Sequence, residues 1–491
     1  MNKVAKVGMG RGTLYLMIAN GIMFVVGYII HFGLGRHLGP EDYGTFGVVL
    51  ALMTVVNIFL TSGFPQSASK HIAEDDAKIG SVMRDANRIQ LVLCVLLFGL
   101  YFGLAEVIAD LLDDPSLTPY IRISALAIPA YALYAIYSSG YLNGLRQFGK
   151  QAMASIGTSM AKVGAVFALV LFGFGVKGAI GGYPLAALVG FLLAWRFLRP
   201  VERSRGNFGW RRLVGFGIPA TLFAATFFLL MSIDLYVVKA IGGEEAEVGY
   251  YTSASTISKV SYFLFAGLAV ALLPSISRST SLNDAEQTGS YIRQSMRYML
   301  TLLMPVVLLI SATSTDLLTL VYSSRYVEAA ESLSILAFGL GFLAVFFVLA
   351  HIIMGSGRPG VTLKMAVPLV GIDIGLNILL IPPYGLEGAA WATTITGFLG
   401  MCAAAIYVLW RFGALVNARA LGKICLAAGV IYAIALQVPL SPSWLPLIYI
   451  GLLALYGGIL WLIKGLVRDD LETFRRIVPL ERFIGGGDLN P

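Results

Sequence analysis

The strongest constraint in this chain is the recurrence of apolar runs long enough to cross a bilayer. A helix needs about 20 apolar residues to span a hydrocarbon core of roughly 30 Å. Runs of that length fall at 13–35, 44–65, 88–110, 120–145, 152–174, 176–198, 213–239, 250–275, 296–322, 332–356, 361–382, 386–412, 420–439 and 445–466. Hydrophobic residues make up 57% and charged residues 13%, where a soluble domain carries roughly a quarter charged. The expected fold class is an all-α polytopic membrane protein with about 14 transmembrane helices. Short outer turns blur the divisions 5/6, 11/12 and 13/14, which leaves 12–14 spans open.

The net charge of +8 points to orientation, and no nucleic-acid partner is expected. With the N-terminus assigned to the cytoplasm, inner segments hold 28 Lys and Arg and outer ones 5. The positive-inside rule then puts both termini in the cytoplasm. Cys94, Cys402 and Cys425 lie in or beside apolar spans without ligand spacing and read as small hydrophobes. The first span reads as an uncleaved anchor.

The chain also resembles itself. Gly144–Gly149 matches Gly355–Gly360 at an offset of 211, and Gly175-Val-Lys-Gly178-Ala matches Gly385-Leu-Glu-Gly388-Ala at 210. Gly190 and Gly400 keep the offset 210, and Pro65 and Pro274 are 209 apart. An offset covering six helices predicts two parallel repeats about an axis along the membrane normal, a common transporter plan. The expected units are an N-terminal lobe at 1–200, a C-terminal lobe at 201–412 with a basic linker at 199–212, and an addition at 413–491. A cleft at mid-membrane between the lobes follows.

Ionisable groups cost about 2.5–3.5 kcal/mol at mid-bilayer on insertion scales, so they face a cavity or a partner. Lys162 follows Ser155, Thr158 and Ser159 at helical spacing, and Lys259 follows Thr252, Ser255 and Thr256 and precedes Tyr262. These stripes read as cavity walls, against the plainer reading of Ser and Thr as helix contacts. Asp373, one turn before Asn377, is the repeat counterpart of Lys162; the two could form a static pair or serve separately. Asp234 and Asp373 are candidates for a proton or sodium site. Asn20, His31, Thr54, Asn57 and Thr61 add polar lining. Tyr131, Tyr134 and Tyr141, with Ser138, share a face of span 4 that suits sugar stacking as well as bundle packing. No catalytic or metal constellation is present, and no outer loop is long enough for a glycan polymerase or ligase site, so a transporter is favoured over an enzyme.

Leu38-Gly-Pro-Glu-Asp-Tyr-Gly-Thr-Phe46, Ser62-Gly-Phe-Pro-Gln-Ser-Ala-Ser-Lys70, Asn143-Gly-Leu and the paired Gly-x-x-Gly-Ala resemble polysaccharide-biosynthesis flippases. These are the Wzx-type O-antigen and exopolysaccharide transporters of the MATE-like MOP superfamily. The resemblance implies two six-helix bundles in a V plus two C-terminal helices, working by alternating access. It implies a substrate of undecaprenyl-pyrophosphate-linked oligosaccharide, flipped outward across a bacterial or archaeal cytoplasmic membrane beside glycan polymerase machinery. No cofactor is expected beyond a coupling H+ or Na+. Under this reading Lys162, Lys259, Ser159, Thr256 and Asn57 contact the pyrophosphate head group, Tyr131, Tyr134 and Tyr141 the sugars, and Asp234, Asp373 and Asn377 the ion. The alternatives are a lipid II-type flippase or a drug cation antiporter of the same superfamily. The spans lack the arginine density of the lipid II flippases, and the two lysines disfavour a cationic cargo.

Overall fold

A chain crossing lipid must satisfy its backbone internally, because no water is available to bond it. In the computed structural model the described residues, which are 9–74, 78–198, 208–241, 244–282, 284–437 and 442–465, form helices and connecting turns, and no strand occurs among them. Most of the linker 199–212 and the tail beyond 465 lie outside them. The first half comprises α1 (Met9–Leu38), α2 (Pro40–Thr61), α3 (Gly63–Glu74), α4 (Ile79–Gly103), α5 (Ala105–Leu111), α6 (Thr118–Ala125), α7 (Ala127–Ala135), α8 (Phe148–Leu169) and α9 (Gly175–Phe197). The second comprises α10 (Trp210–Leu230), α11 (Ile233–Ala240), α12 (Glu245–Ser258), α13 (Val260–Ser281), α14 (Ala285–Ala312), α15 (Ser314–Val321), α16 (Ala330–Gly355) and α17 (Pro359–Phe412). Two further helices, α18 (Ala418–Gln437) and α19 (Leu445–Leu462), follow.

Eleven helical stretches among the described residues are long and apolar enough to cross a membrane. Two of them are double. The stretch Phe148–Phe197 turns back at Gly173 and Gly175, and Pro359–Phe412 turns back at Gly385. Gly175 has φ 51° and ψ −135°, and Gly385 has φ 55° and ψ −135°. These are the glycines matched at offset 210, and both hold a positive φ that an L side chain resists. The same reversal is therefore built twice, at corresponding places.

Apolar side chains cover the outer faces. Phe172 is 80% exposed, Trp410 76% and Leu171 73%. Surface this apolar requires a lipid surround, and the protein is a multi-pass membrane protein. One apolar core runs from Val26 to Ala414 through both halves, while Ile424, Ala428, Ile431, Leu452 and Tyr456 form a second cluster that meets α14 at Leu309.

The halves touch through α1, α2 and α3. At the end of the bundle away from the N-terminus, here the far end, α2 lies on α12 with almost no side chain between them. A Cβ on Gly44 would stand 2.6 Å from the Glu245 carbonyl oxygen, and one on Gly249 would strike the Pro40 carbonyl. Toward the near end, Gly63 of α3 abuts Gly217 and Thr221 of α10, and the Ser67 hydroxyl donates to the Leu213 carbonyl at 3.0 Å. A side chain at the α2–α12 crossing would displace backbone, and overpacking of this kind costs about 1–3 kcal/mol. Gly249→Leu should lower the melting temperature of the purified protein by several degrees and hold the far end apart, read as lost cross-linking between cysteines placed across it.

Candidate functional site

Lys162 on α8 belongs to the first half and Lys259, at the α12–α13 junction, to the second. Both are deep among protein atoms yet keep accessible surface, which is the condition of a cavity wall. Neither makes an ion pair or hydrogen bond among the described residues. Lys162 instead holds its ammonium 5.0 Å from the centre of the Tyr183 ring, a cation–π contact. The charges of both lysines, one from each half, act on His31 of α1. The possible static pair between Lys162 and Asp373 is absent, because Asp373 has other partners.

Those partners form a second polar cluster, inside the C-terminal half. Asp234 opens α11, where the helix N-terminus favours an anion. Its Oδ1 accepts from the Leu235 amide at 2.8 Å, and Oδ2 accepts from the Tyr251 hydroxyl at 2.7 Å and from Thr393 at 3.1 Å. Asp373 Oδ1 accepts from Thr396 at 3.1 Å and from the Asn377 amide at 3.3 Å. Asp373 and Asn377 are fully buried, and Asp373 Oδ2 and Asn377 Oδ1 have no hydrogen-bond partner. The charges of Asp234 and Asp373 act on each other, and Lys259 acts on Asp234. One carboxylate oxygen, Asp373 Oδ2, and one amide oxygen, Asn377 Oδ1, are thus left as buried acceptors for a small cation or a proton. No group of three or more His, Cys, Asp or Glu that could hold a metal occurs among the described residues.

Other expected residues divide. Tyr134 lies beside Lys162, with its hydroxyl 3.2 Å from Ser155, and Tyr131 is half-buried nearby. Tyr141 does not join them. It is fully buried and donates to the Met83 carbonyl at 3.1 Å and to Asn87 at 2.5 Å, so it fastens α4 and lines no cavity. The π-helical stretch Ile136–Leu142 adds a residue per turn and carries Tyr141 off the face of Tyr131 and Tyr134. Ser159 bonds back to Ser155 and is buried. Asn57 is buried with Oδ1 unpartnered. Thr256 reaches the Tyr43 and Tyr322 hydroxyls, and its carbonyl accepts from Tyr28 at 3.2 Å. Thr252 and Thr158 are helix contacts, seated on Gly47 and Gly190; for these two the packing reading holds. Thr54 and Thr61 bond their own helix, and Asn20 is exposed on α1.

The sequence reading missed Tyr183, Tyr251, Thr393 and Thr396. The offset held a signal for one of them, because Thr393 minus 210 is Tyr183, and each meets the buried charge of its own half.

The far end is shut by polar contacts between the halves. The Tyr43 and Tyr322 hydroxyls lie 2.9 Å apart, Tyr326 donates to the Gly35 carbonyl at 2.7 Å, and Arg36 donates to the Leu320 and Val321 carbonyls. Asp114 and Lys239 form an ion pair of 2.8 Å with side chains only 12% and 9% exposed. Burial opposes the Asp114 charge, but hydrogen bonds from Lys239 and Ser116 outweigh it and hold the carboxyl below its ordinary range. Its contribution is therefore complete above about pH 4 and is lost as pH falls through the lower folded-state value. Asp114→Asn should destabilise the protein by about 3 kcal/mol at pH 7, by leaving Lys239 unpaired. Melting curves should show this difference shrinking below about pH 4.

A family model described as polysaccharide biosynthesis protein matches residues 9–280, and another, MatE, matches residues 219–379. The chain is 24% identical over 394 residues to the probable low-salt glycan biosynthesis flippase Agl15 of Haloferax volcanii, covering 79% of this chain and 81% of that one. It is 23% identical over 385 residues to a putative O-antigen transporter of Shigella flexneri, covering 74% and 88%. A solved structure of the lipid II flippase MurJ, in an inward closed conformation, superposes with a TM-score of 0.72 at 17% identity, covering 91% of this chain and 98% of that chain.

Proposed function

This chain belongs to the polysaccharide biosynthesis protein family, and on that premise we propose that it flips a lipid-linked oligosaccharide across its membrane by alternating access. What supports this is the pair of lysines, one from each half, that make no ion pair or hydrogen bond among the described residues and whose charges both act on His31. A diphosphate in a low-dielectric cleft needs cations that are not tied up in ion pairs; neither lysine is in one, although the Asp234 charge acts on Lys259. The glycan occupies the seam near Tyr131 and Tyr134, and the prenyl tail remains in lipid. We take residues 1–200 and 201–412 as the moving lobes, with 413–491 appended and both termini cytoplasmic. Glycan polymerase machinery would act on the product.

Coupling is assigned to Asp234, Asp373 and Asn377, with Thr393 and Thr396 completing the oxygen set. The orphaned oxygens of Asp373 and Asn377 suit a proton or Na+. A charge bound there changes the field at Lys259, which already acts on Asp234, so ion and head group influence each other through one lysine. A cationic drug is the poorer cargo, because the lysines would repel it.

In proteoliposomes carrying a fluorescent polyprenyl-diphosphate sugar, Lys162→Ala with Lys259→Ala should cut flipping at least about a hundredfold, given the roughly 1.5–3 kcal/mol of each charged hydrogen bond. Normal flipping in that double variant sinks the diphosphate assignment. Asp373→Asn should leave downhill flipping measurable and remove its response to an imposed proton or sodium gradient; a retained response would place coupling elsewhere.

A further inference from the structure

His31 stands where the lysine site meets the far-end closure. Its Nδ1 lies 2.9 Å from the Tyr43 hydroxyl, which lies 2.9 Å from the Tyr322 hydroxyl of the other half. The charges of Lys259 and Lys162 both act on its ring, and its second nitrogen, Nε2, has no hydrogen-bond partner among the described residues. A neutral imidazole has one N–H. With Nδ1 accepting from Tyr43, the proton sits on Nε2, and Tyr43, its own proton committed, accepts from Tyr322. The Thr256 hydroxyl also reaches both tyrosine hydroxyls, and the Nε2–H is a donor without an acceptor among the described residues. Phe46 packs at 5.9 Å and Tyr43 edge-on at 6.1 Å, so the ring is held between an aromatic wall and the cations.

We propose that His31 completes the anion site with Lys162 and Lys259 and couples that site to the far-end gate. A diphosphate oxygen accepts the Nε2–H and draws the ring away from Tyr43. Tyr43 then keeps Thr256 but loses the imidazole that takes its proton and so directs its bond to Tyr322, and the contact between the halves loosens. Binding shifts the gate because the anion holds Nε2–H more closely once the ring has swung off Tyr43, a differential contact of the kind that any ligand-driven change requires. The inference rests on the diphosphate reading of the two lysines.

The test uses the full chain in nanodiscs, with Cys94, Cys402 and Cys425 changed to Ala and nitroxides on Ser116→Cys and Glu328→Cys, both exposed at the far end of opposite halves. Pulsed EPR reads their separation without ligand, with saturating farnesyl diphosphate, and with farnesol as the control lacking phosphate. Farnesyl diphosphate should raise the widened population at least about tenfold in the parent protein, and farnesol should not. His31→Asn, whose amide lies near the Nδ1 position, should keep Tyr43 and stay closed with ligand. His31→Gln, whose amide lies near Nε2, should be wider before ligand is added. Opposite responses of two folded variants cannot come from misfolding. If both respond as the parent does, the coupling role of His31 is overturned. Binding of farnesyl diphosphate is measured separately by calorimetry: undiminished binding in Lys162→Ala with Lys259→Ala overturns the anion site itself, a different result.

Discussion

A charge without a counterion in a low-dielectric interior is the constraint on which the arrangement turns. Lys162 and Lys259 are retained deep in the bundle with no ion-pair partner among the described residues. Such groups persist where they reach water or a ligand, and their residual accessible surface shows that they reach open space. The aromatic face under Lys162 stabilises the ammonium without neutralising it. That distinction matters, since an ion pair would hold the two halves together and leave nothing for an anionic head group.

The buried carboxylates answer a different need. Asp234 and Asp373 are surrounded by hydroxyls, an amide and a helix N-terminus, and each charge raises the cost of the other. Lys259 links them to the seam. A bundle with cations on the shared wall and anions inside one half is electrically asymmetric although its backbone is repeated. The asymmetry is what alternating access with coupling would use, since binding in one half then alters the field at the seam.

Closure of the far end relies on backbones coming close. Gly44 and Gly249 let α2 and α12 approach until side chains on either would collide with backbone, and the tyrosine hydroxyls, Arg36 and the Asp114–Lys239 pair fasten the rim. Small residues allow intimate contact in lipid, where apolar surface gains nothing by leaving the hydrocarbon. Contacts of this sort are individually modest and can be exchanged.

The sequence by itself determined the class of fold, because apolar length and charge spacing are one-dimensional quantities that the bilayer reads directly. It also marked the two reversals at Gly175 and Gly385, since a positive φ with ψ near −135° favours glycine. It marked Lys162, Lys259, Asp234 and Asp373, as a lysine or aspartate within an apolar run stands out in any folded context. Partnership was decided only in three dimensions. Thr252 and Thr158 look the same in sequence as cavity hydroxyls, and only packing shows them seated on Gly47 and Gly190. Tyr141 shares a helix face with Tyr134 by periodicity, until a π-helical stretch turns it toward α4. The asymmetric fate of Lys162 and Asp373, counterparts by offset, depends on which helices pack beside each. Side-chain environment is set by contacts between residues far apart in the chain, and no spacing along one helix encodes it.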